Sequence, residues 1–137
     1  MTKPEQFNIA SSSTKSAPKT VLLVDDEVSV LTLWSDYVRT LGHIPLTATT
    51  ADEALRILIS PAGAAVDTVL VDIVMPGHDG TWLIERLGTH YPRLRVVIAT
   101  GLAELDARVS LKPNVIAYLV KPFDVEELRV ALDIGDE

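Results

Sequence analysis

The sequence predicts an α/β fold built on one doubly wound, five-stranded parallel sheet. Three observations lead there. From Lys19 onward, short apolar runs of strand character alternate five times with helical stretches. That is the pattern of a parallel sheet covered on both faces. Four of the runs end on a chemically capable side chain. Val21–Val24 delivers Asp25 and Asp26, Val69–Val71 delivers Asp72, Val96–Ala99 delivers Thr100, and Ala117–Val120 delivers Lys121. Strand C-termini in such sheets converge on one rim, which is where the fold binds ligands. Finally, Pro45 lies inside the second run, and a strand lacking an N–H belongs at a sheet edge. A 2-1-3-4-5 order puts it there and opens the binding crevice between strands one and three, where the three aspartates meet.

Element by element, the expected strands are 20–25, 43–48, 66–72, 94–100 and 115–120. The expected helices are 27–41, 51–60, 80–90, 102–110 and 124–134. In the first helix Val30, Trp34, Tyr37, Val38 and Leu41 recur at spacings of three and four, a packing stripe that makes Trp34 a core residue. Gly42 stops it by tolerating a left-handed backbone. Asp79-Gly80 is read as the turn feeding the third helix, and His90 as its terminus. The fourth helix is sparsely apolar (Leu102, Leu105, Val109) and ends at Lys112-Pro113-Asn114. Asp124 with Glu127 forms an aspartate capping box for the last helix, whose buried stripe is Val125, Leu128 and Leu132.

Composition narrows the function. A chain of 137 residues suits a single domain, since roughly 100–200 residues per domain is usual. The organisation expected is a flexible tail at 1–18, rich in Ser, Thr, Lys and Pro, and one domain at 19–137. No run approaches the ~18 apolar residues of a membrane span, and the N-terminus lacks the apolar core of a secretion signal. Cysteine is absent, which excludes disulfides and thiolate metal sites. These features fit a cytoplasmic protein. The net charge is −7. Three lysines against one glutamate leave the first 19 residues at +2 and the remainder at −9. Such a body repels nucleic acid, whose phosphates need clustered Lys and Arg.

The chemistry follows from the rim. Two carboxylates about 4 Å apart repel by several kcal/mol even at an effective dielectric near 20. Three in one cleft call for a cation, and Mg²⁺ suits carboxylates, a carbonyl and retained waters in octahedral geometry. Helix capping alone explains neither the doubled Asp25-Asp26 nor Asp72. Lys121 at a buried strand end neutralises a carboxylate or holds an anion. Thr100, followed by the small Gly101, is placed to reach a phosphoryl oxygen.

Four motifs then carry a resemblance: Val-Asp-Asp-Glu at 24–27, Val-Asp-Ile-Val-Met-Pro-Gly-His-Asp-Gly at 71–80, Ala-Thr-Gly at 99–101, and Tyr-Leu-Val-Lys-Pro-Phe at 118–123. From about Lys19 to Ile134 the chain resembles the receiver domain of bacterial two-component response regulators, a flavodoxin-like fold, in its stand-alone form. The resemblance implies that Asp72 is the phosphoacceptor, taking a phosphoryl group from a sensor histidine kinase or histidine phosphotransfer protein. It implies a Mg²⁺ site made by Asp26, Asp25 through a water, Asp72 and the Val74 carbonyl. It implies too that Lys121 pairs with Asp72 and then with phosphoryl oxygens, and that the Lys121–Pro122 bond is cis and aims the ammonium into the pocket. By the same resemblance Thr100 and Tyr118 would form the switch couple, read out on the face of helix four, strand five and helix five.

Val74 and Leu102, each two residues after a site residue, are apolar and cannot orient an attacking water, so slow self-dephosphorylation is expected. The polar, proline-ended fourth helix departs from the family and puts its usual dimerisation face in doubt, leaving a monomer or a weak phosphorylation-dependent dimer. His78 is allowed only a minor electrostatic role. The reading is a single-domain regulator, not an enzyme on external substrates, that works as relay, sink or adaptor for an unknown output protein. A receiver fragment of a hybrid sensor kinase is the alternative. An aspartyl-phosphate hydrolase is disfavoured because Val74 stands where such enzymes carry a second Asp.

Overall fold

The computed structural model describes residues 17–101 and 112–134. Its strands are β1 (Thr20–Val24), β2 (Ile44–Ala48), β3 (Val66–Asp72), β4 (Arg95–Thr100) and β5 (Val115–Val120). They form one sheet in the order β2-β1-β3-β4-β5, with each neighbouring pair parallel. This is the expected 2-1-3-4-5 arrangement. Pro45 lies opposite Val21 on the edge strand, where its missing N–H leaves no partner strand unpaired.

Strand periodicity explains the two cores. Successive side chains of a strand point to opposite faces. Leu22, Val24, Val69, Val71, Val96 and Ile98 therefore share one core, while Val21, Leu23, Leu70, Val97 and Ala99 share the other. The helices α2 (Ala51–Ile59) and α3 (Gly80–His90) cover the first face, through Ala51, Ala54, Leu58, Leu83, Ile84 and Leu87. On the second lie α1 (Val28–Thr40) and α4 (Val125–Asp133), the last of the expected helices. Leu22, Leu70 and Ile98 are wholly buried, each contributing about 1.5–3 kcal/mol by leaving water.

Several local expectations are met. Gly42 ends α1 with φ +87°, a conformation costly for any residue with a Cβ. Asp79 caps α3 by accepting from the Trp82 N–H. The Asp124–Glu127 capping box is complete, each side chain accepting from the other's backbone N–H. Two stripes differ in detail. On α1 the buried residues are Leu31, Trp34, Ser35 and Val38, with Val30, Tyr37 and Leu41 flanking them. The helix is rotated so that the Leu31–Trp34–Val38 line faces the sheet. On α4 the buried set is Leu128, Ala131 and Leu132; Val125, at the first turn, is only half-buried. β1 stops at Val24, one residue short of expectation, although the Asp25 N–H extends the ladder to the Ala48 carbonyl. The expected helix at 102–110 lies outside the described residues, as does nearly all of the tail at 1–18.

Candidate functional site

The C-terminal ends of β1, β3, β4 and β5 bring the sequence-predicted residues to one rim. One carboxylate oxygen from each of Asp25, Asp26 and Asp72 lies within 4.8 Å of the others. Asp25 and Asp72 are buried and Asp26 is exposed. Lys121 reaches across from the end of β5, its Nζ 3.3 Å from Asp25 Oδ2 and 3.3 Å from Asp72 Oδ2. Its backbone N–H bonds to the Thr100 carbonyl, and the peptide bond to Pro122 is cis.

The aspartate doublet is not a helix cap. The N-cap of α1 is Glu27, whose side chain makes no capping bond. Asp25 Oδ1 instead accepts the Glu27 N–H at 2.8 Å, which fixes the β1–α1 turn and leaves its second oxygen for Lys121. Asp72 Oδ1 accepts a long 3.4 Å bond from the Val74 N–H. Behind Asp72 the chain turns back on itself, with the Gly80 N–H bonded to the Ile73 carbonyl. A Cβ on Gly80 would stand 2.3 Å from the Asp72 carbonyl oxygen, so only glycine lets α3 start this close to the acceptor.

Burial and charge act on both partners of the Asp72–Lys121 pair. Burial pushes the Asp72 carboxyl up to about 6, against the pull of Lys121 and helped by the charge on Asp25. For Lys121, burial favours the neutral amine, but Asp72 and Asp25 outweigh it and raise its pKa. Three carboxylates with one ammonium leave the rim at −2. An all-oxygen donor set of this charge fits a hard divalent cation such as Mg²⁺.

A pH dependence follows. Asp72 binds its proton more tightly folded than unfolded. The stabilisation from protonation is complete below pH about 4 and is lost as pH rises through about 6. Without metal, the stability of wild type relative to Asp72→Asn therefore falls between those limits. The expected drop, on the order of 1–3 kcal/mol, is measurable by paired thermal melts in EDTA. Equal pH profiles for the two proteins would contradict it.

Thr100 is buried, and its hydroxyl donates to the Gly101 carbonyl at 2.9 Å rather than to Asp72. The Tyr118 ring is partly exposed on β5, at the register position of Ile98. Val74 is 54 % exposed, and Leu102 lies outside the described residues. One feature was missed. His78 stacks on Trp82 at 3.8 Å and its Nδ1 lies 3.1 Å from Asp52, while Arg86 sits over the same indole. This clasp ties the β3–α3 loop to α2. The i, i+4 spacing of His78, Trp82 and Arg86 was the available signal.

Comparison with known proteins agrees with this geometry. The family model of the response regulator receiver domain matches residues 21–133. The DNA-binding transcriptional regulator NtrC of Escherichia coli K12 is 37 % identical over 108 residues, covering 78 % of this chain and 22 % of NtrC. The chain thus spans about a fifth of that relative's length. Sporulation initiation phosphotransferase F of Bacillus subtilis is 30 % identical over 113 residues, covering 82 % of this chain and 89 % of that protein. A response regulator receiver domain protein from Clostridium thermocellum superposes with a TM-score of 0.77 at 29 % identity, over 85 % of this chain and 92 % of that one. With fold, rim and sequence in accord, the chain belongs to the response regulator receiver domain family.

Proposed function

We propose that this protein accepts a phosphoryl group on Asp72 from a histidine kinase or histidine phosphotransfer protein and changes its partner binding, or passes the phosphate on, in response. The observation that carries the reading is the Asp72 carboxylate held between Lys121 and two further aspartates at the strand-end rim. Residues 19–137 form the receiver and 1–18 a tail in this reading. The match to the sporulation phosphotransferase supports a relay role. DNA binding is a property of NtrC, of which this chain matches a small part.

In the transfer, an Asp72 carboxylate oxygen attacks phosphorus, forming an O–P bond as the P–N bond to the donor imidazole breaks. The electron pair leaves on the imidazole nitrogen, which takes up a proton. Lys121 stands beside the attacking carboxylate, positioned to neutralise charge that develops on the phosphoryl oxygens. Asp25, Asp26, Asp72 and the Val74 carbonyl would hold Mg²⁺. When bound, that ion screens the carboxylates and stabilises charge on the transferring group. Once Asp72 is phosphorylated, Lys121 and Thr100 supply the contacts that distinguish the two states, as a ligand-driven switch requires. Tyr118 is the partner proposed to follow Thr100. Beyond this the protein is no enzyme: it catalyses its own phosphorylation and slow dephosphorylation.

Incubation with acetyl phosphate and Mg²⁺ should add one phosphoryl mass per chain by intact-mass spectrometry. Steady turnover of external phosphate esters without build-up of the one-phosphoryl adduct would favour a hydrolase instead. Because exposed Val74 gives an attacking water no hydrogen-bond partner, Val74→Asn should shorten the phosphoryl half-life by about threefold or more. An unchanged half-life in a chase experiment would remove Val74 from the explanation.

A further inference from the structure

We propose that Trp34 is a positioning residue for Lys121, holding its ammonium between Asp25 and Asp72. The proposal rests on the reading of Lys121 given above and adds a residue to it. Sheet periodicity supplies the placement. Asp25 follows Leu23 by two residues, Asp72 follows Leu70, and Lys121 follows Leu119. All three leucines belong to the core beneath α1 and α4. The Leu31–Trp34–Val38 line of α1 packs on that same face.

Trp34 is 3 % exposed. Its ring stacks on Phe123 with centroids 5.4 Å apart and planes inclined by 29°. Phe123 is itself braced by Tyr37, whose ring lies 6.3 Å away and whose hydroxyl donates to the Phe123 carbonyl. The indole is therefore a fixed surface, and Lys121 Nζ lies over it, 5.9 Å from the ring centroid. A cation over an indole face is attracted by the ring quadrupole, more strongly where water is excluded.

Lysine needs such a wall. Its four-carbon stem is flexible and its ammonium is a point charge without a preferred fork geometry. A cavity of about 300 Å³ opens beside it, lined by Val30, Leu33, Trp34, Lys121, Pro122 and Phe123. The stem would relax into that space if the indole were cut back. The carboxylates alone are a shifting anchor, because phosphorylation of Asp72 moves the negative charge from its carboxylate out to the phosphoryl oxygens and leaves Asp25 in place. The indole's attraction is the same before and after transfer.

The test is the rate of phosphorylation by acetyl phosphate, a donor that needs no protein docking. Trp34→Leu should slow it about fivefold, and Trp34→Phe, which keeps an aromatic face, should stay within about twofold of wild type. The decisive step is a double-mutant cycle. If Trp34 acts through Lys121, adding Trp34→Leu to Lys121→Met changes the rate by less than about twofold. A full fivefold loss in that background, or no loss in the single variant, overturns the proposal. Should Trp34→Leu fail to fold, emission decides. In a Trp82→Phe protein, Lys121→Met must alter Trp34 fluorescence, and an identical spectrum overturns the contact. Wild type that takes up no phosphoryl group instead brings down the underlying function.

Discussion

Asp72→Asn takes up no phosphoryl group from acetyl phosphate under conditions that label wild type, a rate loss of at least about a hundredfold. The asparagine amide keeps the shape of the carboxylate but supplies no anionic oxygen to attack phosphorus. Its neighbours are poor substitutes. Asp25 is wholly buried, with Oδ1 committed to the Glu27 N–H and Oδ2 to Lys121. Asp26 is exposed and stands apart from the two ion pairs that Lys121 makes with Asp25 and Asp72. Loss of folding is not the expected cause. The substitution removes a carboxylate that burial already disfavours in its charged form, and Lys121 retains Asp25. The metal-free melting temperature above pH 6 should therefore equal or exceed that of wild type. Intact mass and a thermal melt of the same sample give both answers. Labelling of Asp72→Asn at the wild-type rate would place the acceptor elsewhere and end the present reading.

Much of this was legible because the signals are local. Pro45 announces an edge strand through its missing donor, and Gly42 a helix end through its φ. The rim is legible because every parallel strand delivers its last residue to the same end. What sequence could not settle depends on long-range packing. Whether α1 buries Val30 or Leu31 turns on a small rotation about the helix axis, set by β1, β3 and α4 together. The Asp25–Glu27 bond and the Thr100–Gly101 bond are side-chain choices that the residue types alone do not dictate. The Trp34–Lys121 contact joins residues 87 apart in sequence, and nothing in α1 alone shows it. The His78–Trp82 stack is intermediate: its spacing is helical, but His78 precedes the helix.

Asp26→Asn should lose both the stabilisation by Mg²⁺ and the Mg²⁺-dependent labelling. Asp26 is the exposed corner of the acidic triangle, the side open to solvent, from which an ion would enter. An ion that binds only the folded rim stabilises by mass action, about 2.7 kcal/mol at a hundredfold excess over its Kd. For a domain of this size that is a rise of roughly 6–15 °C in Tm. With Asn at this position the rim falls from −2 to −1 and loses one carboxylate ligand, so the increment should largely vanish. Without metal the variant should melt no lower than wild type, because a like-charge neighbour of Asp25 and Asp72 is gone. The two effects have opposite signs, which separates a lost ligand from a damaged fold. Calcium and potassium controls at matched ionic strength exclude simple screening. A Mg²⁺ increment of undiminished size in Asp26→Asn would mean that the ion sits elsewhere, and the assignment of Asp26 as a ligand would be withdrawn while that of Asp72 stood on its own test.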